Sequence, residues 1–241
     1  MSLSRPQHIC QALWLLAILA FAAVPAFSAG EPMRVLVSGF EPFGGMSQNP
    51  SEELVRYINE HFNEKTPLTT DSGPAIVRGV TLPVTYYKCW EVLHQAIADF
   101  KPTCVIALGL AAIPGLRIET MAKNGDRGGP DNKGNGHKGA IYPAALEELA
   151  TKLPVDAIKE ALEKNKIPAT TSKDAGGYLC NHIFYHLMRY ATSHPELRAG
   201  FIHVPNWPVE GEKSLWPAIK TVIETLQKAA PAPAKDVKEA R

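Results

Sequence analysis

The chain of 241 residues has no excess charge of either sign, with 25 Lys and Arg against 24 Asp and Glu. Proteins that hold polyanions present clustered basic residues, and no basic block occurs here, so no nucleic-acid partner is expected. Cysteine is scarce, at four, which excludes a disulfide-built scaffold. HExxH and paired-cysteine motifs are absent too. The pair His182 and His186, spaced i, i+4, therefore predicts no metal, and no cofactor is expected. Long apolar runs are missing apart from residues 12–24, and that run falls short of the roughly 20 residues a membrane-spanning helix needs.

What is there fits a folded enzyme-sized unit. An apolar content of 45% excludes wholesale disorder, and the length suits one compact domain. Arg5 and His8 precede the apolar run, while Pro25 and the small-residue exit Ala26-Phe27-Ser28 follow it. This order predicts a signal peptide over 1–28, hence an exported, periplasmic or secreted protein with no stable membrane insertion after cleavage. Cleavage after Ser28 would leave a chain of zero net charge with Cys89, Cys104 and Cys180. An odd number of cysteines in an exported protein leaves at least one thiol unpaired.

Alternating elements run along the rest. Residues 33–38 and 104–108 are continuous apolar runs ending near glycine, the pattern of buried parallel strands. Further strands are expected over 75–84, 167–171 and 201–204. Helices are expected from the Asn49-Pro50-Ser51 cap to about Phe62, and over 87–100, 154–165, 181–190 and 215–226. The polar, glycine-rich stretch 125–139 reads as loop. The expected fold class is α/β, a three-layer α/β/α sandwich with an open, twisted, mostly parallel sheet covered by helices on both faces. One domain over 29–228 precedes a Pro/Ala-rich tail, 229–241, expected to be disordered.

Cys180 stands where Gly176 and Gly177 lead into a helix. Backbone N–H groups and the helix dipole there favour thiolate and offer a site for an oxyanion, although a free cysteine is commonly just a small buried hydrophobe. His203, at the end of a strand, could approach that turn at the ligand-binding edge of an α/β sheet, or be an ordinary edge histidine. Glu119 could orient the imidazole, or be one more solvated carboxylate.

Four ordered segments together resemble the pyroglutamyl peptidase I family: Gly39-Phe-Glu-Pro-Phe-Gly-Gly45 with Asn49-Pro50, Glu119-x-x-Ala122-x-Asn124, Ala175-Gly176-x-Tyr178-x-Cys180-Asn181-His182, and Phe201-Ile202-His203-Val204-Pro205. The resemblance covers residues 34–216. It implies Cys180 as nucleophile, His203 as general base and acid, Glu119 as orienting carboxylate, and removal of an N-terminal pyroglutamyl residue from peptides. It also implies a lactam pocket lined by Phe40, Phe43, Tyr178 and Leu179, with Asn49 bracing the loop, and is compatible with a homo-oligomer. Three departures stand out: Leu110 where many members carry glutamine, a shortened stretch before Glu119 followed by Thr120-Met121, and the export signal in a chiefly cytosolic family. The family-based alternative for location is the cytoplasm. Alternatives for function are a non-catalytic exported lactam- or peptide-binding protein on the same fold and a related small-amide hydrolase.

Overall fold

The computed structural model describes residues 31–211 and 214–229. The signal peptide expected over 1–28 and, apart from Ala229, the tail expected over 229–241 lie outside the described residues. Contacts divide the chain into Met1–Glu31 and Pro32–Arg241; the second unit holds every element below.

In chain order the elements are β1 (Met33–Phe40), α1 (Pro50–His61), β2 (Leu68–Thr70), β3 (Gly73–Leu82), α2 (Cys89–Phe100), β4 (Cys104–Leu110), β5 (Leu116–Glu119), β6 (Met121–Lys123), β7 (Asp126–Arg127), β8 (Lys138–Gly139), β9 (Glu148–Ala150), α3 (Val155–Lys164), β10 (Ala169–Ser172), α4 (Leu179–Thr192), β11 (Arg198–Val204) and α5 (Leu215–Lys228). Seven strands form the main sheet in the order β10-β5-β11-β4-β1-β3-β2. β3, β1, β4 and β11 run parallel. β5 is antiparallel to β11, and β2 to β3. The sheet is thus mostly parallel, as its continuous apolar strands predict.

Burial on both faces explains those runs. Successive side chains of a strand point to opposite sides of the sheet. Val35, Val37, Cys104, Ile106 and Leu108 enter one core with side chains of α1, α3 and α5. Leu36, Val105 and Ala107 enter the other with those of α2 and α4. The helices therefore divide between two layers, and the expected sandwich is observed.

Local chemistry sets the ends. Asn49 caps α1 by accepting from the Ser51 N–H at 3.1 Å, with Pro50 in the first turn and Glu52 and Glu53 beside it. Gly39 lets the start of α1 lie against β1, because a Cβ there would stand 2.1 Å from the Ser51 carbonyl oxygen. β3 ends one residue before Pro83, which lacks an N–H for the ladder. The stretch 125–139 is largely loop, but β7 and β8 pair within it, and Asp131 ties it down by accepting from the N–H groups of Lys133, Asn135 and Tyr86.

Cys89 and Cys104 are both free and buried. They belong to the cores on opposite faces of the sheet, so the layer of strands keeps them from pairing with each other.

Candidate active site

β11 and β5 bring His203 and Glu119 together through alternation. On β11, Phe201 belongs to the core under α2 and α4, while Ile202 and Val204 belong to the other. His203 therefore faces α4. On β5, Leu116 and Ile118 enter the opposite core, which turns Arg117 and Glu119 toward the same side as His203. Antiparallel register pairs Phe201 with Glu119 and His203 with Arg117, making His203 and Glu119 diagonal neighbours within side-chain reach.

His203 Nδ1 lies 2.7 Å from Glu119 Oε1. Arg117 Nε donates to the same oxygen at 2.9 Å. With Nδ1–H donated to the carboxylate, the Nε2 lone pair of a neutral ring is left for a proton from another group. Glu119 is fully buried. Burial pushes its pKa up, but the hydrogen bonds from His203 and Arg117, with the Ser172 hydroxyl nearby, outweigh that, and the net shift is downward. The carboxyl thus stays ionised beside the imidazole.

α4 delivers the thiol. Tyr178 caps the helix in an extended conformation without a side-chain cap, and Cys180 lies in the first turn. The first helical bond runs from His182 N–H to Tyr178 C=O, so the N–H groups of Leu179, Cys180 and Asn181 have no carbonyl behind them in the helix. A Cβ at Gly109 would stand 2.8 Å from Cys180 Sγ and 2.7 Å from Phe201 Cζ. The sulfur therefore rests over Gly109, and Gly109 is the register partner of His203 on β4. Thiol, imidazole and carboxylate are assembled on one face of the sheet. The helix end predicts a lowered thiol pKa, but the opposite is found. Burial, followed by the Glu119 charge, pushes the Cys180 thiol up to about 12, against a smaller opposing pull from Arg117.

Asn181 anchors the start of α4. Its Oδ1 accepts from Lys123 N–H at 2.9 Å, and its Nδ2 donates to the carbonyls of Lys123 at 2.9 Å and Gly125 at 3.0 Å. Asn181 stands in the Cys180 motif with no role assigned to it there, and Gly109 and Arg117 stand in none of the four motifs; each acts through partners distant in the chain.

The expected pocket residues gather nearby in two layers. Phe40 and Leu179 are buried in the core under α2 and α4, while Phe43 and Tyr178 pack half-buried against it. The rings of Phe43 and Tyr178 stand 6.4 Å apart, and the Tyr178 hydroxyl donates to the Pro130 carbonyl at 2.9 Å. Asn49 braces the loop, donating to Glu41 C=O at 3.1 Å, while the hydroxyl of Ser51 donates to Asn49 Oδ1 and accepts from Phe40 N–H. Leu110 ends β4 opposite Val204.

An open α/β sheet carrying a thiol, an imidazole and a carboxylate on one face has the make-up of a thiol hydrolase. The family model described as pyroglutamyl peptidase matches residues 33–232, and the chain belongs to that family. It is 36% identical over 211 residues to a pyrrolidone-carboxylate peptidase of Bacillus velezensis, covering 85% of this chain and 86% of the relative. It is 40% identical over 181 residues to one from Thermococcus litoralis, covering 73% and 77%. Among solved structures, pyroglutamyl peptidase I from Bacillus amyloliquefaciens superposes with a TM-score of 0.73 at 33% identity, covering 83% of this chain and 97% of that one.

Proposed function

We propose that this protein is a cysteine exopeptidase that removes N-terminal pyroglutamyl residues from peptides. The observation that carries this reading is the 2.7 Å contact of His203 Nδ1 with the buried Glu119 carboxylate, beside a thiol seated over the register partner of His203. Cys180 Sγ attacks the carbonyl carbon that joins the pyroglutamyl residue to the next residue, and His203 Nε2 accepts the thiol proton. The oxyanion forms beside the free N–H groups at the start of α4. As the C–N bond breaks, His203 returns the proton to the leaving amine. It then takes a proton from water, whose oxygen attacks the thioester and releases pyroglutamate and the Cys180 thiol. Glu119 keeps the imidazole in the required tautomer. Phe43 and Tyr178 would flank the uncharged lactam, with Phe40 and Leu179 beneath it and Asn49 holding the loop. A thiol, an imidazole and a buried carboxylate on one face of the sheet support turnover over the non-catalytic lactam-binding alternative. Hydrolysis of a pyroglutamyl-coumarin amide tests the assignment: Cys180→Ala is expected to abolish it, and undiminished hydrolysis by that variant overturns it.

We also propose that residues 1–28 direct export and that the catalytic domain spans 29–228. The charged start, the apolar run of 12–24 and the Ala26-Phe27-Ser28 exit support this reading. No helix among the described residues is long and apolar enough to cross a membrane. Cell fractionation with N-terminal sequencing is expected to find a chain beginning at Ala29 outside the cytoplasm. An intact N-terminus in the cytoplasm overturns export.

A further inference from the structure

A second cluster of ligating side chains lies behind the aromatic wall of the proposed pocket. Asp126 on β7, His137 just before β8 and His182 on α4 each offer one ligand atom, all within 4.8 Å of one another. Asp126 Oδ2 lies 2.6 Å from His182 Nδ1 and 2.9 Å from His137 Nδ1. The Asp126 side chain is fully buried, yet its other oxygen, Oδ1, has no hydrogen-bond partner. A buried carboxylate oxygen without a partner costs free energy unless something else satisfies it.

We propose that Asp126, His137 and His182 bind a divalent transition metal of the zinc class, Asp126 through Oδ2, with water completing the coordination and donating to the otherwise unpartnered Oδ1. One carboxylate and two imidazoles are a ligand set suited to such ions, and three protein ligands plus a solvent position is a familiar zinc arrangement. Tetrahedral zinc with bonds of about 2.1 Å holds neighbouring ligand atoms roughly 3.4 Å apart, so the two nitrogen–oxygen separations need to open by only about 0.5–0.8 Å. His137 keeps 27% of its side chain exposed, which leaves the ion a route in.

The surrounding network suits either state. His182 Nε2 lies 3.2 Å from His186 Nε2, and His186 Nδ1 lies 2.8 Å from the Tyr142 hydroxyl. Without metal, the protons run from Tyr142 through His186 and His182 toward Asp126. With His182 Nδ1 on the metal, its remaining proton sits on Nε2 and is donated to His186 Nε2. His186 then donates from Nδ1 to the Tyr142 oxygen. Each imidazole keeps one proton and changes only its tautomer, and the metal-bound His182 gains the partner for its other nitrogen that ligating histidines usually have. The Tyr86 ring packs against His137, His182 and Tyr178 at 5.8, 5.1 and 5.7 Å between centroids. The ion would therefore pin the loop 125–139 to the helix that carries Cys180.

The full chain, without an added histidine tag and carrying Cys180→Ala so that this thiol cannot serve as a ligand, is freed of metal with a chelator and equilibrated with Zn2+. Metal analysis after dialysis is expected to find about one ion per chain and a raised Tm, since binding to the folded state alone stabilises it. The same protein loaded with Co2+ is expected to show four-coordinate d–d absorption. His137→Ala, at a half-exposed position, and Asp126→Asn are each expected to weaken binding at least 10-fold, whereas His94→Ala, outside the cluster, leaves it unchanged. A stoichiometry near zero, or undiminished binding by folded His137→Ala, overturns the proposal even if Asp126→Asn fails to fold.

Discussion

His203 and Glu119, 84 residues apart in the chain, meet at 2.7 Å because β5 runs antiparallel to β11. The carboxylate accepts from Nδ1 and so leaves Nε2 free to take a proton. Glu119→Gln keeps the size of the side chain but loses its charge and allows the wrong tautomer. A fall of about 10²–10⁴ in kcat with little change in KM is expected, as for other orienting carboxylates. Steady-state kinetics that leave kcat unchanged would remove Glu119 from the mechanism.

Gly109 tests the placement of the thiol. An alanine methyl would meet Cys180 Sγ at 2.8 Å and the Phe201 ring at 2.7 Å, closer than non-bonded carbon tolerates. Gly109→Ala is expected to displace the sulfur and lower kcat/KM by about 100-fold or more, with far-ultraviolet circular dichroism retained. Wild-type kinetics in this variant would show that the sulfur does not depend on the open space at Gly109.

Acid stability follows from Glu119. Its folded pKa is lowered relative to an unfolded value of about 4.3. The resulting stabilisation is complete above the unfolded pKa and is lost as pH falls through the folded one. Arg117→Gln removes one of the hydrogen bonds that lower the pKa, so its acid unfolding midpoint should move to higher pH. An unchanged midpoint in an acid titration followed by circular dichroism would show that Arg117 carries none of the shift.

Asn181→Ala strands the Lys123 N–H and the carbonyls of Lys123 and Gly125. Urea unfolding is expected to show a loss of about 1–3 kcal/mol, the range for a buried polar group left without a partner. A loss under about 0.5 kcal/mol would mean that water replaces the amide.

Cys89 and Cys104 are completely buried, and burial pushes each thiol up to about 12. A disulfide reagent should leave both unmodified in the native protein and label both after denaturation. Rapid native labelling of either would contradict the packing of the two cores.

By itself the sequence determined the layers, most of the helices and the chemical types at the site. Burial on both faces requires the unbroken apolar runs of β1 and β4, and Asn49-Pro50-Ser51 carries its own helix-start chemistry. The four ordered motifs marked Cys180, His203 and Glu119. Tertiary structure decided what those local signals could not carry. β5 has four residues, too short for a readable alternation, so the sequence assigns Glu119 to no element; in the fold it ends an antiparallel strand beside β11. α4 begins at Leu179, which places Cys180 inside the first turn, and burial there raises its pKa where the helix end alone predicts a fall. Arg117, Gly109, Asn181 and the group of Asp126, His137 and His182 acquire meaning only through neighbours brought close by the sheet register and by the loop 125–139. Periodicity and capping act over a few residues, whereas a shared oxygen, the space for a sulfur atom or a set of metal ligands depends on how distant segments pack.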